Sequence, residues 1–409
     1  MKIVMFTDAY WPRVNGVTVS VESFSRALIR AGHEVVIICS FYPDSQTVRQ
    51  MSTPTMDKRE HDDDPIVIRV PSHSIFISKE DRLAKFHKWF WVSKQLNVFD
   101  PDIIHIHSEF VIGEFGFYYA KLYSLPIVYT FHTMWEDYIT NYIPYLPKFL
   151  LKYIARRIIK TAAARSDTII APSLQIQEVL RRYKIKRSSY LIPTGIDPEL
   201  FSNSPEEIQQ FRAEFETKYP LLKGKRILLF AGRIGKEKNI SFLFRIMTDI
   251  IKKHGDVVLL LAGNGPDLPF FQEEAEEMGL ADYCVFSGYL DRKDLSLVYG
   301  MSYMFVFPSL TETQGLVTIE AMLSGIPVVA IGEMGTIAVM GGDNGGFMVK
   351  NDPEEFTGRV LDLLENKSLY DAKVIDARKH AQSWTIETMT EKLLGAYRDT
   401  IQEYNAKKK

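Results

Sequence analysis

The sequence predicts an α/β protein made of two consecutive doubly wound domains, each a parallel β-sheet with helices on both faces. Short β-rich runs alternate with amphipathic helical stretches along the chain, as in parallel sheets joined by crossover helices. The alternation begins a second time after a stretch rich in Pro, Gly and Asn at 193–205. The length of 409 residues suits two or three domains.

Short runs of β-branched and other apolar residues identify two series of strands. The first series covers 2–7, 34–39, 66–70, 103–107, 126–131, 168–171 and 189–192. Amphipathic stretches between these strands predict helices at 17–31, 79–97, 113–124, 148–165 and 173–183. The second series of strands covers 226–231, 257–262, 283–287, 304–307 and 326–330.

The remaining segments set the domain boundaries. We interpret the polar stretch 43–64 as a long surface loop and 385–405 as a helix. The predicted domains are therefore 1–197 and 198–384. A C-terminal helical segment, 385–409, is expected to pack back on the first domain.

Composition excludes several classes of protein. Hydrophobic residues make up 46% of the chain and charged residues 24%, which excludes a wholly disordered or fibrous chain. No apolar run reaches the roughly 18–20 residues of a membrane span, and Asp8 interrupts the N-terminal run, which indicates a strand and not a signal peptide. Two cysteines, Cys39 and Cys284, are too few for a disulfide framework and favour a reducing cytosol.

Charge is unevenly distributed along the chain. The net charge is -2, but the first half is net basic and the second half net acidic. An anionic surface partner and two ordinary solvated domains both fit this asymmetry. We expect no nucleic-acid partner.

Two loops carry residues suited to a phosphorylated ligand. Gly16 lies where a helix begins after strand 2–7, so backbone amides could meet a phosphate or carbonyl oxygen; an ordinary turn is the competing interpretation. Arg233 and Lys238 follow strand 226–231, at the end where open α/β sheets bind ligands. An arginine fork and a mobile lysine suit a diphosphate, although two solvated loop cations would give the same pattern.

A pair of glutamates adds to this signal. Glu312 precedes a turn at Gly315, and Glu320 lies eight positions further on, inside a predicted helix. An acid among the apolar residues around Glu320 is costly to bury unless it is used. Carboxylates accept bidentate hydrogen bonds from neighbouring hydroxyls, and a helix N-terminus favours phosphate. The pair therefore predicts a polyhydroxylated, phosphorylated ligand.

Together these motifs resemble glycosyltransferase family 4 of the GT-B fold. The E-x7-E spacing is accompanied by G-R and K before it and by N-G-V near the N-terminus. Further matching motifs are P-D-I-I-H-I-H at 101–107, T-F-H-T at 130–133, A-P-S at 171–173 and I-P-T-G-I-D at 192–197. The resemblance implies two doubly wound, Rossmann-like domains facing across a cleft, and a retaining transferase with a nucleotide-sugar donor.

The resemblance also implies roles for individual residues. Arg233 and Lys238 would hold the donor diphosphate, and Glu320 the ribose hydroxyls. Glu312 would face the transferred sugar, and His132 would reach that sugar from the first domain. The positions that the family brings near the sugar, the phosphates or the base are Gly16, Gly288, Tyr289, Leu290, Gln314, Gly315 and Leu316. The first domain would serve the acceptor and the membrane, and the second the nucleotide sugar.

No metal cofactor is predicted. Asp100-Pro101-Asp102 has the D-x-D form of a metal motif, but it precedes a strand and indicates a turn. His105 and His107 share one strand face without a third ligand nearby, which favours core or interdomain hydrogen bonds. Arg233, Lys238 and helix dipoles are then left to stabilise the leaving phosphate. No nucleophile is evident, so we favour front-face transfer over the double displacement of glycosidases.

The predicted helix 148–165 has two different faces. A core-facing stripe at helical spacing consists of Leu151, Ile154, Ala155, Ile158, Ile159 and Ala162. The opposite face carries Lys152, Arg156, Arg157 and Lys160, with Phe149 and Tyr153 on the same side. Cations with interleaved aromatics fit an anionic membrane interface. The stretch 79–94 has a similar composition, with Trp89 and Trp91; burial of these aromatics against neighbouring loops is the alternative.

Within the family, the motifs at 105–116, 130–138 and 312–320 resemble bacterial diacylglycerol glucosyltransferases. The resemblance implies UDP-glucose as donor, the 3-hydroxyl of diacylglycerol as acceptor, and a cytoplasmic enzyme peripheral on the inner face of the membrane. Transfer of mannose or another hexose to phosphatidylinositol or to a soluble acceptor stays open. A silent nucleotide-sugar-binding scaffold is the alternative of another class. The oligomeric state is not predicted.

Overall fold

The computed structural model describes residues 1–13, 15–42, 55–57, 61–75, 78–132, 147–312 and 314–408. The chain divides into two compact units. The first contains Met1–Gly195 together with Ile386–Lys409, and the second contains Ile196–Thr385.

The first unit is built on a mostly parallel sheet. Its strands in the described ranges are β1 (Lys2–Thr7), β2 (Glu34–Ser40), β3 (Thr55–Met56), β4 (Ile66–Val70), β5 (Ser72–Ile75), β6 (Ser78–Ala84), β7 (Ile103–Ile106), β8 (Ile127–Thr130), β9 (Thr168–Ala171) and β10 (Ser188–Leu191). Eight strands form one sheet in the order β10-β9-β8-β7-β1-β2-β4-β3, with the short β3 antiparallel to β4. β5 and β6 form a separate antiparallel hairpin. The central strand β1 is apolar and fully buried from Ile3 to Phe6, as expected for a strand covered on both faces.

Helices cover this sheet, and the first of them starts at a capping side chain. They are α1 (Gly16–Arg30), α2 (Trp89–Phe99), α3 (Val111–Tyr123), α4 (Lys148–Arg165) and α5 (Leu174–Arg182). Asn15 caps α1 because its side-chain oxygen accepts a hydrogen bond from the Thr18 amide at 2.8 Å. None of the helices in the described ranges is long and apolar enough to span a bilayer.

The second unit has a fully parallel sheet of the Rossmann type. Its strands are β11 (Arg226–Ala231), β12 (Val257–Ala262), β13 (Cys284–Gly288), β14 (Met304–Phe307), β15 (Val328–Ile331) and β16 (Gly346–Val349), in the order β13-β12-β11-β14-β15-β16. The helices are α6 (Pro205–Lys218), α7 (Ile240–Lys253), α8 (Leu268–Glu277), α9 (Arg292–Met301), α10 (Leu316–Leu323), α11 (Gly335–Met340), α12 (Pro353–Glu365) and α13 (Lys367–Ala381). The strand order reverses between β11 and β14, which makes this the topological switch point.

The last helix, α14 (Ile386–Lys408), belongs to the first unit. It buries Met389 and Leu393. Two polar contacts fix its position: the Tyr397 hydroxyl lies 2.6 Å from His105 Nδ1, and Thr400 Oγ1 donates to Thr168 Oγ1 at 2.8 Å. The helix therefore completes the core and the polar interior of the first unit.

The predicted fold class is confirmed, with differences at the sheet edges. Sequence reasoning missed the short strands β3, β5, β6 and β16. The predicted surface loop 43–64 contains β3, and its residues 43–54 and 58–60 lie outside the described part of the chain. The prediction of a helix over 79–97 is wrong in its first half, where β6 pairs with β5 and Arg82 donates to Ser72 Oγ at 2.8 Å. Pairing across the hairpin overrides the local helical periodicity there.

Candidate functional site

The loops after β11 and β14 carry the cations and one carboxylate predicted for the second unit. These two strands are neighbours at the switch point, where ligands bind beyond the carboxyl ends of parallel strands. Arg233 follows β11, and its side chain is two-thirds exposed, 3.8 Å from Glu237. The loop packs closely, because a Cβ on Gly263 would lie 1.8 Å from the Gly232 carbonyl oxygen. Arg233 therefore extends into solvent from a tightly packed backbone.

Lys238 and Glu312 form an ion pair across the switch point. Lys238 Nζ lies 2.9 Å from Glu312 Oε2, and both side chains are about 80% buried. The same two loops are joined by Asn239, which donates from Nδ2 to the Pro308 carbonyl at 3.2 Å. The Glu312 carbonyl accepts a hydrogen bond from the Gly335 amide at 2.8 Å. Two of the predicted site residues, 74 positions apart, are thus brought into direct contact.

The turn at Gly315 has a backbone that favours glycine. Gly315 has φ of +69° and precedes α10, and a Cβ there would approach the Gly335 backbone to 3.3 Å. Gln314 and Leu316 flank it and are partly buried, while Thr313 lies outside the described residues. The first turn of α10 therefore starts directly after the Glu312 loop.

Glu320 is partly buried in α10 and paired with a residue that sequence reasoning missed. The Tyr299 hydroxyl donates to Glu320 Oε2 at 3.1 Å. Burial raises the pKa of Glu320 to about 6, and the charge of Glu312 raises it further, while the Tyr299 hydrogen bond and Arg292 lower it. Nothing in the sequence around Tyr299 indicates this contact, because 21 positions separate it from Glu320.

The backbone predicted to contact the base lies at the end of β13 and directly after it. In the sheet, β12 separates β13 from β11. Gly288 has φ of +73°, and its carbonyl accepts a hydrogen bond from the Gly263 amide at 2.9 Å. Tyr289 is 79% exposed, whereas Leu290 packs partly against the core. These three residues lie at the carboxyl edge of the same sheet as Arg233.

In the first unit, Gly16 begins α1 and is exposed. A Cβ on Gly16 would meet nothing within 4 Å, so the space beside the first turn is open. Sequence reasoning missed Asp8, which ends the apolar run of β1 and accepts hydrogen bonds from Ser108 Oγ at 2.6 Å and the Ile112 amide at 3.1 Å. Burial raises the pKa of Asp8 to about 6. The sequence signal for Asp8 is an acid directly after a buried strand. Its carboxylate links the loop leading to Gly16 with the start of α3.

Three histidines meet at the carboxyl edge of this sheet. His107 follows β7 and His132 follows β8, and their nitrogens Nδ1 and Nε2 lie 3.0 Å apart. His105 bonds through Nε2 to Thr130 Oγ1 at 2.7 Å and through Nδ1 to the Tyr397 hydroxyl. Burial lowers the pKa of His132 to about 4 and that of His105 to about 3, so both are neutral at pH 7.

The described part of the chain holds no group of three or more His, Cys, Asp or Glu residues placed to bind a metal ion. His105 and His107 bond instead to protein groups. Thr133 of the predicted T-F-H-T motif lies outside the described residues.

The predicted membrane face of α4 is exposed. Phe149 is 77% exposed and Tyr153 59%. The four cations predicted for this face are also exposed: Lys152, Arg156, Arg157 and Lys160. The predicted core stripe is wrong at Ile154, which is 37% exposed and widens the apolar surface. Arg156 is not a purely solvated cation, because its guanidinium lies over the Tyr183 ring at 4.9 Å.

The similar interpretation of 79–94 needs a correction. Trp89 is buried, with its ring 5.2 Å from that of Phe115, and Trp91 is partly buried. The exposed aromatics of this stretch are instead Phe86 and Phe90. The predicted helical face differs from the observed one because the α-helix starts only at Trp89.

Two models of known protein families match the chain. Residues 14–200 match the family model Glycosyltransferase Family 4, and residues 211–380 match the model Glycosyl transferases group 1. The alpha-monoglucosyldiacylglycerol synthase of Streptococcus pneumoniae is 33% identical over 337 residues, which cover 81% of this chain and 71% of that protein. The enzyme of the same name from Acholeplasma laidlawii is 28% identical over 414 residues, covering 100% and 99%.

Similarity to solved structures extends over the whole fold. Crystal structures of Anabaena HepE, in complex with UDP and with UDP and glucose, match with TM-scores of 0.73 and 0.70. Sequence identity is 16%, and the match covers 98% of this chain and 100% of HepE, so this likeness concerns the fold. The predicted family is confirmed: the chain belongs to glycosyltransferase family 4, has the GT-B fold and is a hexosyltransferase.

Proposed function

We propose that this enzyme transfers glucose from UDP-glucose to the 3-hydroxyl of diacylglycerol, with retention of configuration, at the inner face of the cell membrane. The observation that carries the lipid acceptor is the exposed face of α4, where Phe149 and Tyr153 lie among cations. Such a face suits the headgroup boundary of an anionic bilayer. The names of the pneumococcal and Acholeplasma relatives support the sugar and the acceptor. The HepE complexes with UDP and with UDP and glucose support a UDP-linked glucose donor.

The second unit is proposed to hold the donor. Arg233 and Lys238 would bind the diphosphate, and the carboxylate of Glu320 would accept hydrogen bonds from the ribose hydroxyls. Glu312, held by Lys238 at 2.9 Å, would face the sugar hydroxyls. The backbone contacts are assigned to Gly288, Tyr289, Leu290, Gln314, Gly315 and Leu316 in this unit and to Gly16 in the first.

For the chemical step we propose front-face transfer. The bond between the anomeric carbon and the leaving phosphate breaks while the acceptor hydroxyl attacks from the same side, and a phosphate oxygen accepts the hydroxyl proton. Negative charge therefore grows on the diphosphate, where Arg233, Lys238 and the N-terminus of α10 stabilise it. His132 contacts the transferred sugar from the first unit.

One experiment tests the substrate assignment. A panel of UDP- and GDP-linked sugars is offered with vesicles containing diacylglycerol, phosphatidylinositol or neither, and product mass and anomeric configuration are measured. The expected product is α-glucosyldiacylglycerol from UDP-glucose alone. The proposal would be replaced by transfer to another acceptor if the product were mannosylated phosphatidylinositol or a glycosylated soluble molecule. It would be replaced by the silent scaffold if UDP bound without any turnover.

Glu320→Gln is expected to raise the donor KM and leave kcat nearly unchanged. Ribose contacts are similar in the ground and transition states, so their loss weakens binding uniformly. The ionised carboxylate is the stronger acceptor, and its pKa in the free enzyme is raised to about 6. Donor affinity should therefore fall as pH drops through 6 in the wild type, and this dependence should vanish in the variant. A pure kcat effect would contradict the ribose role.

Transfer is expected to continue in excess EDTA, because Arg233 and Lys238 supply positive charge at the diphosphate. The measurement is initial rate in metal-free buffer with and without added Mg²⁺ or Mn²⁺. Complete loss of activity that either ion restores would overturn the metal-free mechanism.

A further inference from the structure

His107 and His132 share a well-aligned hydrogen bond. Their rings are nearly coplanar, with an interplanar angle of 23°, and the ring centroids are 5.3 Å apart. With His107 Nδ1 and His132 Nε2 3.0 Å apart, this separation means that the two nitrogens face each other edge to edge. One nitrogen must donate its proton and the other must accept it. The direction of this bond fixes which nitrogen of His132 carries hydrogen.

The second nitrogen of His107 decides that direction. His107 Nε2 is buried and has no hydrogen-bond partner among the described residues. If His132 donated, His107 would have to carry its own proton on Nε2, as a buried N–H without an acceptor. Orphaned buried N–H groups are rare because they lose the full desolvation energy of the donor. A bare Nε2 with the proton on Nδ1 avoids that orphaned donor.

We infer that His107 is a positioning residue, which donates its Nδ1–H to His132 Nε2 and holds His132 in the Nδ1–H form. His132 then presents a hydrogen-bond donor, and not a base, to an oxygen of the substrate. The inference rests on the proposed function only in assigning that oxygen to the transferred sugar.

The surroundings of the pair support this assignment. Burial lowers the pKa of His107 well below its usual value and that of His132 to about 4, so neither ring holds a second proton at pH 7. The groups that act electrostatically on His107 are themselves histidines, His105 and His132. His105 covers one face of His107 at a centroid distance of 3.9 Å and is itself held by Thr130 and Tyr397. The His107 ring therefore has little freedom to flip and exchange its nitrogens.

The direct test reads the tautomers by NMR. Protein labelled with ¹⁵N-histidine is examined by long-range ¹H–¹⁵N correlation near pH 7, with signals assigned through single substitutions. The Nδ1–H form is expected at both His107 and His132 in the wild type, without substrate. An Nε2–H form at His132 would overturn the inference. This readout does not depend on which sugar or acceptor the enzyme uses, so it succeeds or fails separately from the proposed function.

Two substitutions add a kinetic test. His107→Asn places an amide donor where Nδ1 lies, and His107→Leu removes the donor. We expect His107→Leu to lower kcat by about tenfold or more, with the donor KM nearly unchanged, and His107→Asn to restore most of that rate. Tyr397→Phe is the matched control, because it removes a buried hydrogen bond to His105 and leaves the His107–His132 bond intact.

The outcomes are distinguishable. Equal loss in the Asn and Leu variants, with unchanged His132 signals, would mean that His107 acts only in packing and would overturn the inference. Thermal unfolding of each variant identifies a folding defect, and the wild-type NMR measurement still decides the matter if His107→Leu does not fold.

Discussion

Arg233→Ala and Lys238→Ala should each slow transfer by about tenfold or more, which corresponds to about 1.4 kcal/mol of lost transition-state stabilisation. Both changes remove a cation from the place where the leaving diphosphate gains negative charge. The Lys238 variant should be the more severe, since it also leaves the mostly buried Glu312 carboxylate without the ammonium that lies 2.9 Å away. The measurement is kcat/KM for UDP-glucose, with UDP affinity determined in parallel.

The same loop offers a matched control. Lys236 is an exposed cation two positions before Lys238, and its ammonium lies over the Phe270 ring, 4.6 Å from the centroid. Lys236→Ala removes the same charge from the same loop and should leave the rate nearly unchanged. Near-normal turnover in both Arg233→Ala and Lys238→Ala, with thermal unfolding like that of the wild type, would refute the diphosphate assignment.

Replacing Lys152, Arg156, Arg157 and Lys160 by Ser should abolish binding to anionic vesicles and transfer to lipid. Each cation near an anionic surface adds about 1 kcal/mol to membrane binding. Wild-type binding should weaken with added salt, because surface charges are screened over roughly 8–10 Å at physiological ionic strength. UDP binding should survive in the quadruple variant, because none of its proposed ligands lies on α4. Cosedimentation with vesicles and UDP titration measure the two properties separately.

Two further variants make this prediction specific. Because Arg156 packs over Tyr183, the triple variant that keeps Arg156 separates lost charge from lost packing, and it should still lose most vesicle binding. A control that changes four exposed lysines of the second unit to Ser alters net charge equally; its positions are Lys218, Lys223, Lys252 and Lys253. If the control and the α4 variant lose binding to the same extent, or neither loses it, α4 has no special role at the membrane.

The sequence predicted the parts of the fold that depend on local pattern. Apolar strands such as β1 and β11 were recognisable because burial on both faces requires continuous apolar runs. Gly315 was recognisable as a turn before a helix, and Glu320 as an acid in an apolar helix face. Family resemblance then supplied roles that no periodicity contains.

Contacts between distant segments could not be predicted. The Lys238–Glu312 pair and the Tyr299–Glu320 bond join segments that are distant in sequence. They form only because β11 and β14 are neighbours in the sheet, which local sequence patterns do not reveal. The solvent-facing side of a helix is also hard to predict when its first residue is misplaced. Trp89 fits both a membrane-facing surface and burial in the sequence, and the structure places it in the core.

The return of α14 to the first unit has a consequence for biosynthesis. The ribosome synthesises residues 1–195 long before Ile386–Lys408. The hydrogen bonds of Thr168 with Thr400 and of His105 with Tyr397 therefore cannot form until synthesis is nearly finished. The second unit is continuous in sequence and has every residue of its core available earlier. Although the N-terminal part of a chain usually folds first during translation, here the later-made unit can complete its core before the earlier one.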